Sequence, residues 1–202
     1  MLPLANHKTQ AASLFEFVKT AIKAGVDMVQ IRERDLSARE VYSLAEAVMP
    51  EARARDTQVL VNDRADVAAC ASSGVHLTTR SLPVRVVREI FGSEMCIGVS
   101  THGMEEAIAA EQGGADFIVF GPVFETESKR AFGPPVGISA LRGVAERVKI
   151  PVIALGGIRT DNFRQALAAG AAGIAGISLF AGCEDMSSLI TEIKEFDSVR
   201  TR

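Results

Sequence analysis

Short apolar runs alternate with amphipathic segments along almost the whole chain. Seven runs of the kind that form buried strands begin between residues 28 and 173, so that consecutive runs start about 24 residues apart. This interval accommodates one strand, one helix and two short loops. The predicted strands cover residues 28–33, 58–63, 74–78, 96–101, 117–122, 151–157 and 173–178.

Helical patterns fill the intervals between these runs. They cover residues 11–24, 104–112, 139–148, 161–169 and 184–196, and Asp161 and Asn162 begin the fourth of these helices. Two further helices are predicted, one from a capping box at Ser37 and Glu40 and one with Pro83 in its first turn. A glycine that ends a helix directly before a strand recurs at residues 25, 114 and 170. Repetition of one helix–strand unit predicts an α/β fold, a TIM (β/α)8 barrel, with an open doubly wound sheet as the alternative.

A barrel of this kind has eight strands, and only seven are visible. The first strand should precede the helix at 11–24, where Pro3 removes a backbone donor and makes residues 2–5 a poor strand. The sequence therefore predicts a single barrel domain over residues 1–202 whose first strand is degenerate or missing.

The composition excludes several classes of partner. Aromatic residues make up 5% of the 202 residues, Trp is absent and the formal net charge is −3, which argues against a nucleic-acid platform. No run of 18 uncharged apolar residues occurs, so no membrane span is predicted. The mean hydropathy of +0.19 agrees with a buried parallel sheet.

Three cysteines, Cys70, Cys96 and Cys183, lie far apart in apolar stretches and form no metal-binding spacing. They are predicted to be buried free thiols, which favours the reducing cytoplasm.

Polar residues follow nearly every predicted strand. Catalytic groups of TIM barrels lie at the carboxyl ends of the strands, and packing alone would not require polar residues there. The candidate side chains at these ends are Gln30, Arg32, Glu33, Arg34, Asn62, Asp63, Arg64, His76, Thr78, Ser100, Thr101, His102, Thr126, Ser128, Lys129 and Ser178.

Backbone groups at two strand ends predict a phosphate site. Gly156 and Gly157 allow a ligand to approach the backbone N–H groups, and Ile177 with Ser178 does the same after the last strand. A plain tight turn is the alternative interpretation.

Charged residues at the same ends suit a phosphorylated ligand. Arg32, Arg34 and Lys129 can bind phosphate, although solvated charges at the rim would give the same pattern. Asp63 can hold Mg2+, which prefers one or two carboxylates together with phosphate oxygens. The alternative for Asp63 is a turn that closes the strand.

Uncharged polar groups suit a heterocycle. Gln30 can recognise a heteroaromatic ring through a paired donor and acceptor, and Asn62 can donate to a phosphate. His76 and His102 are more often packing or capping residues. The loop at 125–137 is long and predicts a lid that orders on ligand, with a surface insertion as the alternative.

Six phrases of the sequence resemble, in the right order, those of the thiamine phosphate synthase / TenI family of TIM barrels. The resemblance extends from about residue 14 to residue 195 and implies a synthase that joins hydroxymethylpyrimidine diphosphate to thiazole phosphate and releases diphosphate with the help of Mg2+. The phrases are VQIRERD (29–35), VNDRAD (61–66), GVHL (74–77), GVSTH (98–102), GPVF followed by T-x-S-K (121–129) and IALGGI (153–158).

The resemblance also implies roles for individual residues, with electrostatic catalysis and no protein nucleophile. The diphosphate would be held by Arg32, Arg34, Asn62, Ser100 and Lys129, the Mg2+ by Asp63, the pyrimidine by Gln30 and His76, and the thiazole phosphate by Thr126, Ser128, Gly157, Ile177 and Ser178.

Some positions depart from the synthase pattern. Ser81 stands where synthases have a second Asp that binds Mg2+, and Arg34 replaces the usual Lys, as in the tautomerase branch, whereas Pro122 is typical of synthases. The alternatives are therefore a thiazole tautomerase or a non-catalytic binder of thiazole or thiamine phosphate. The sequence leaves a homo-oligomer open.

Overall fold

A computed structural model describes residues 7–33, 35–126 and 134–200, and within these ranges side chains from residue 13 to residue 197. All seven predicted strands are confirmed, most of them ending one to three residues earlier than predicted. They are β1 (Met28–Ile31), β2 (Gln58–Asn62), β3 (Gly74–Leu77), β4 (Ile97–Thr101), β5 (Phe117–Phe120), β6 (Val152–Leu155) and β7 (Gly173–Ala175).

Helices separate the strands. The capping box is confirmed, because the Glu40 N–H donates to the Ser37 hydroxyl while the Glu40 carboxylate accepts from the Ser37 N–H. The helices are α1 (His7–Ala24), α2 (Ala38–Ala54), α3 (Ala65–Cys70), α4 (Val84–Phe91), α5 (Met104–Gln112), α6 (Gly137–Arg147), α7 (Phe163–Ala168), α8 (Ser178–Ala181) and α9 (Met186–Arg200).

The strands form one parallel sheet in sequence order from β1 to β7. Residues of a strand point alternately to its two faces. Val59 and Val61 pack on the helices, whereas Leu60 between them packs with Phe117 and Val119 on the inner face. All carboxyl ends of the strands therefore meet at one edge, where the polar residues were predicted to gather.

The inner face is filled by large side chains placed beside glycines. The Phe117 ring lies directly beside Gly98, its register partner on β4, where an added Cβ would lie 2.6 Å from the ring atom Cε2. Gly74 similarly leaves room for Leu60, whose Cδ2 atom would be 2.6 Å from a Cβ. Glycines on two strands thus let two bulky apolar residues close the interior below the polar ends.

The sheet curls until its first and last helices meet. Lys194 of α9 donates to the Gly25 carbonyl and to the Asp27 carboxylate, both at 2.8 Å, and Ala21 of α1 packs with Met186 and Ile190 of α9. The predicted TIM-type fold is confirmed in this curled seven-stranded form. The degenerate or missing first strand was expected before α1, and residues 1–6 lie outside the described residues.

Two short helices were not predicted, and four predicted helix starts differ from the observed ones by two to four residues. The helices α3 and α8 contain only six and four residues, too few for a periodic pattern. The helix expected from residue 161 begins at Phe163, and the Asn162 side chain turns back instead, donating to the Gly157 carbonyl at 2.9 Å.

The cysteines are free thiols, as predicted, but the prediction that all three are buried is wrong. Cys70, the last residue of α3, is exposed, and Cys96 and Cys183 are half-buried. Burial, followed by the nearby Asp116 charge, raises the pKa of Cys96 to about 11. In the described part of the chain, no helix is both long and apolar enough to cross a membrane.

We expect Gly98→Ala to destabilise the protein by about 1–3 kcal/mol, because the added Cβ would lie 2.6 Å from Cε2 of the buried Phe117 ring. Gly143→Ala is the matched control, since a methyl group there meets only Met104 Cε at 3.7 Å within helix α6. It should stabilise the protein by about 0.5–1 kcal/mol. Urea unfolding of both variants checks the prediction, and equal effects of the two substitutions would contradict it.

Candidate active site

Asp63, directly after β2, has an unusual backbone conformation. Its φ angle is +62°, in the left-handed region that few residues other than glycine adopt. The Asp63 N–H donates to the His76 carbonyl at 2.9 Å, and the Arg64 N–H donates to the Asn62 carbonyl at 2.8 Å. These bonds hold the turn, and a non-glycine residue kept in this region often marks a functional position.

Three side chains donate hydrogen bonds to the Asp63 carboxylate. Thr78 Oγ1 donates to Oδ1 at 2.8 Å, the Ser81 hydroxyl donates to the same oxygen, and Asn62 Nδ2 donates to Oδ2 at 2.7 Å. Partial burial alone would raise the pKa of Asp63, but the bonds from Ser81, Thr78 and Asn62 outweigh it and hold the pKa below its ordinary value. The side chain is therefore kept ionised and fixed in direction.

The two hydroxyl donors belong to one tight turn after β3. The Thr78 N–H donates to Ser81 Oγ at 2.7 Å, and the Ser81 N–H donates to the Thr78 carbonyl at 3.0 Å. Ser81 therefore orients Asp63 instead of supplying a second carboxylate. Thr78 is one of the polar residues predicted at the strand ends, and its bond to Asp63 Oδ1 shows how it contributes to this cluster.

Gln30 extends this cluster to β1. Its Nε2 donates to Asn62 Oδ1 at 2.8 Å. Val29 and Ile31 on either side pack toward the helices, so Gln30 lies on the inner face of the sheet. Three of the predicted site residues, on two neighbouring strands and the turn after the second, are thus joined in one hydrogen-bonded chain.

His76 and Ser100 form a second pair on the inner face. His76 on β3 is only 4% exposed, and its Nε2 lies 3.1 Å from Ser100 Oγ on β4. Asn62 is the register partner of His76, so the pair adjoins the Asp63 cluster. Both predicted residues therefore belong to the polar layer at the carboxyl end of the sheet.

The two glycines after β6 are required by close backbone approach. At Gly156 an added Cβ would lie 2.5 Å from Pro122 Cα, and at Gly157 it would lie 2.8 Å from the Phe124 carbonyl carbon, with both glycines at positive φ. Within the described residues, the N–H groups of Gly157, Ile177 and Ser178 donate no backbone hydrogen bond. These groups at the carboxyl edge suit an anion.

Other predicted residues follow the strands at the same edge. Arg32 follows β1 and is exposed, Thr126 is half-buried, and Ile177, which precedes α8, is 79% exposed. Arg34, Ser128 and Lys129 lie outside the described residues, as do residues 127–133, the central part of the predicted lid.

Two further ionisable groups flank the site. Partial burial, followed by the Asp35 charge, raises the pKa of Glu33 in the loop after β1. His102 is not part of the polar layer, because its Nδ1 lies 3.2 Å from Glu106 Oε2 on the first turn of α5. This agrees with the capping role considered for His102.

The Asp63 carboxylate, and not its hydrogen-bond donors, is the group that fits a magnesium ion. Among the described residues, no group of three or more His, Cys, Asp or Glu side chains could hold a metal ion. Magnesium, however, is usually bound through one or two carboxylates, with phosphate oxygens and water completing its ligands. The single ionised carboxylate of Asp63, at an edge suited to phosphate, meets that requirement.

The curled parallel sheet and its polar carboxyl edge define a TIM-type protein. Comparison with known proteins identifies the family. Residues 2–180 match the model of the family described as thiamine monophosphate synthase, and the chain belongs to that family. The predicted family resemblance is thus confirmed.

Individual relatives support the same family membership. A relative from Geobacter sulfurreducens is 47% identical over 174 residues, covering 86% of this chain and 82% of the relative. The thiamine-phosphate synthase of Halalkalibacterium halodurans is 42% identical, covering 86% of this chain and 83% of that protein. The solved structure of thiamine phosphate pyrophosphorylase from Pyrococcus furiosus is 36% identical with a TM-score of 0.82, covering 91% of this chain and 89% of that chain.

We expect Ser81→Ala to raise the pKa of Asp63, because the substitution removes a hydrogen bond that favours the ionised form. The bond stabilises the fold above the ordinary pKa of 3.8, and this contribution is lost as the pH falls through the lowered folded-state value. The stability difference between the wild type and Ser81→Ala should therefore shrink over that acidic range.

Titration of the Asp63 carboxyl carbon by NMR measures this pKa directly. Ser188→Ala is the matched control, because it removes a similar bond to Asp185 at the start of α9. An Asp63 pKa that is the same in Ser81→Ala and Ser188→Ala would show that the hydroxyl does not hold the carboxylate.

Proposed function

We propose that this chain is a thiamine-phosphate synthase, a transferase that joins a hydroxymethylpyrimidine diphosphate to a thiazole phosphate and releases diphosphate. The observation that carries the proposal is the ionised Asp63, held by three donors at the polar edge of a chain that belongs to the synthase family. Relatives at 38–47% identity bear the synthase name, which favours this function over the tautomerase and non-catalytic alternatives. Its free cysteine thiols favour a location in the reducing cytoplasm.

In this proposal the polar layer binds the diphosphate end of the pyrimidine. Arg32, Asn62 and Ser100 would hold its oxygens, together with Arg34 and Lys129. Hydrogen bonds that strengthen as negative charge collects on the leaving group lower the barrier without a protein nucleophile. His76 supports this arrangement through its 3.1 Å contact with Ser100.

The two substrates would occupy opposite sides of the edge. Gln30, on the inner face of β1, would contact the pyrimidine ring beside His76. The thiazole phosphate would bind at the N–H groups of Gly157 and Ser178, with Gly156, Thr126, Ser128 and Ile177 around it. This division would bring the thiazole nitrogen toward the pyrimidine carbon that loses diphosphate.

Asp63 would hold Mg2+ in the same proposal, with the remaining ligands supplied by diphosphate oxygens and water. When bound, the ion would neutralise negative charge on the leaving diphosphate. Ser81 and Thr78 would keep the carboxylate oriented toward that position through their hydrogen bonds.

The purified protein, mixed with the pyrimidine diphosphate, the thiazole phosphate and Mg2+, is expected to form thiamine phosphate and an equal amount of diphosphate. Product chromatography and a diphosphate assay measure the two products. Binding of thiazole phosphate without any turnover would overturn the synthase function. Isomerisation of the thiazole in the absence of the pyrimidine would favour the tautomerase.

Asp63→Asn is expected to lower kcat/KM by about 100-fold or more in the presence of Mg2+, because it removes the charge that would hold the ion. Asp56→Asn is a matched control. Asp56 is exposed, also has a positive φ angle, and lies before β2 at the opposite end of that strand. Its variant should retain wild-type turnover, and wild-type turnover in Asp63→Asn would remove Asp63 from the proposed metal site.

A further inference from the structure

The Asp63 carboxylate dictates how the Asn62 side chain is turned. An ionised carboxylate can only accept hydrogen bonds, whereas an amide presents either a donor or an acceptor. Because Asp63 Oδ2 lies 2.7 Å from the Asn62 amide, Asn62 must direct its Nδ2 group toward Asp63. The acceptor atom Oδ1 of Asn62 then faces the other way.

The same constraint passes on to Gln30. Asn62 Oδ1 lies 2.8 Å from the Gln30 amide and can only accept, so Gln30 must present Nε2 to it. Within the described residues, this bond leaves the acceptor Oε1 and the second N–H of Gln30 for other partners on the inner face. A carboxylate with no contact to Gln30 therefore decides where this residue presents an acceptor and where it presents a donor.

We propose that Asp63, acting through Asn62, fixes the hydrogen-bonding polarity of Gln30 and so selects a ring with an amino group beside a ring nitrogen over the corresponding oxo ring. In the amino ring the amino group donates and the neighbouring ring nitrogen accepts. In the oxo ring the exocyclic oxygen accepts and the neighbouring ring N–H donates. Asp63 and Asn62 are positioning residues in this selection, and Gln30 makes the contact. The proposal rests on the proposed function in taking a pyrimidine as the ligand.

Replacing the charge tests the polarity. In Asp63→Asn the side chain at residue 63 can donate as well as accept, so Asn62 and Gln30 are free to turn together. The shape of the site is nearly unchanged, but both ring patterns can then be matched. Discrimination between the rings should fall even where affinity for the phosphate end is kept.

The probes are hydroxymethylpyrimidine monophosphate with its 4-amino group and the 4-oxo analogue of the same compound. Calorimetry in metal-free buffer with EDTA removes any contribution from a metal ion at Asp63. The wild type is expected to bind the amino ring at least about tenfold more tightly, because a mispaired polar group loses its hydrogen bond. In Asp63→Asn the two Kd values should lie within about twofold of each other.

Two further variants complete the test. Thr78→Val removes another bond to the same carboxylate without touching the chain to Gln30, so it should keep the preference. Asn62→Leu breaks the chain and should lose it. Circular dichroism checks that each variant is folded.

Undiminished preference for the amino ring in both Asp63→Asn and Asn62→Leu would overturn the proposal while leaving the synthase function intact. An equal loss of preference in Thr78→Val would also overturn it, because the effect would then come from general loosening of the turn. Failure of the wild type to bind either ring would count against the proposed function itself.

Discussion

The alternation of two faces along seven parallel strands is the constraint on which the rest of the molecule depends. Val59 and Val61 must face the helices, so Leu60 and Asn62 must face inward. Parallel strands joined by helices also end at the same edge. Asn62, His76 and Ser100 lie on three successive strands, and this shared edge therefore brings them together.

The inner face has to satisfy two opposite demands along its depth. Its lower part is apolar and filled, since Phe117 and Leu60 occupy the space that Gly98 and Gly74 leave open. Its upper part is polar, and here most groups are paired: Gln30 with Asn62, and His76 with Ser100. Packing below holds the strands in register, and this register sets the distances between polar groups above.

The sequence was sufficient to predict the strands because each buried strand reads as an apolar run of recognisable length. The sequence also located the polar edge, because the residues that follow each strand can be identified without knowing how the side chains pack. It could not give the contact between Asp63 and Ser81, because 18 residues separate them and the contact depends on the turn at Thr78. Exposure of Cys70 was missed for a similar reason, since the six-residue helix α3 has too little periodicity to reveal its outer face.

The serine at residue 81 changes the electrostatics around Asp63, the proposed metal ligand. A carboxylate there would lie within hydrogen-bonding reach of Asp63, and two like charges so close raise each other's pKa unless a cation lies between them. The Ser81 hydroxyl instead donates to Asp63 and helps to lower the pKa of that carboxyl. The carboxylate is thus ionised and oriented by the protein alone. It follows that the hydrogen bonds of the turn after β3 orient Asp63 and, through Asn62, the side-chain amide of Gln30.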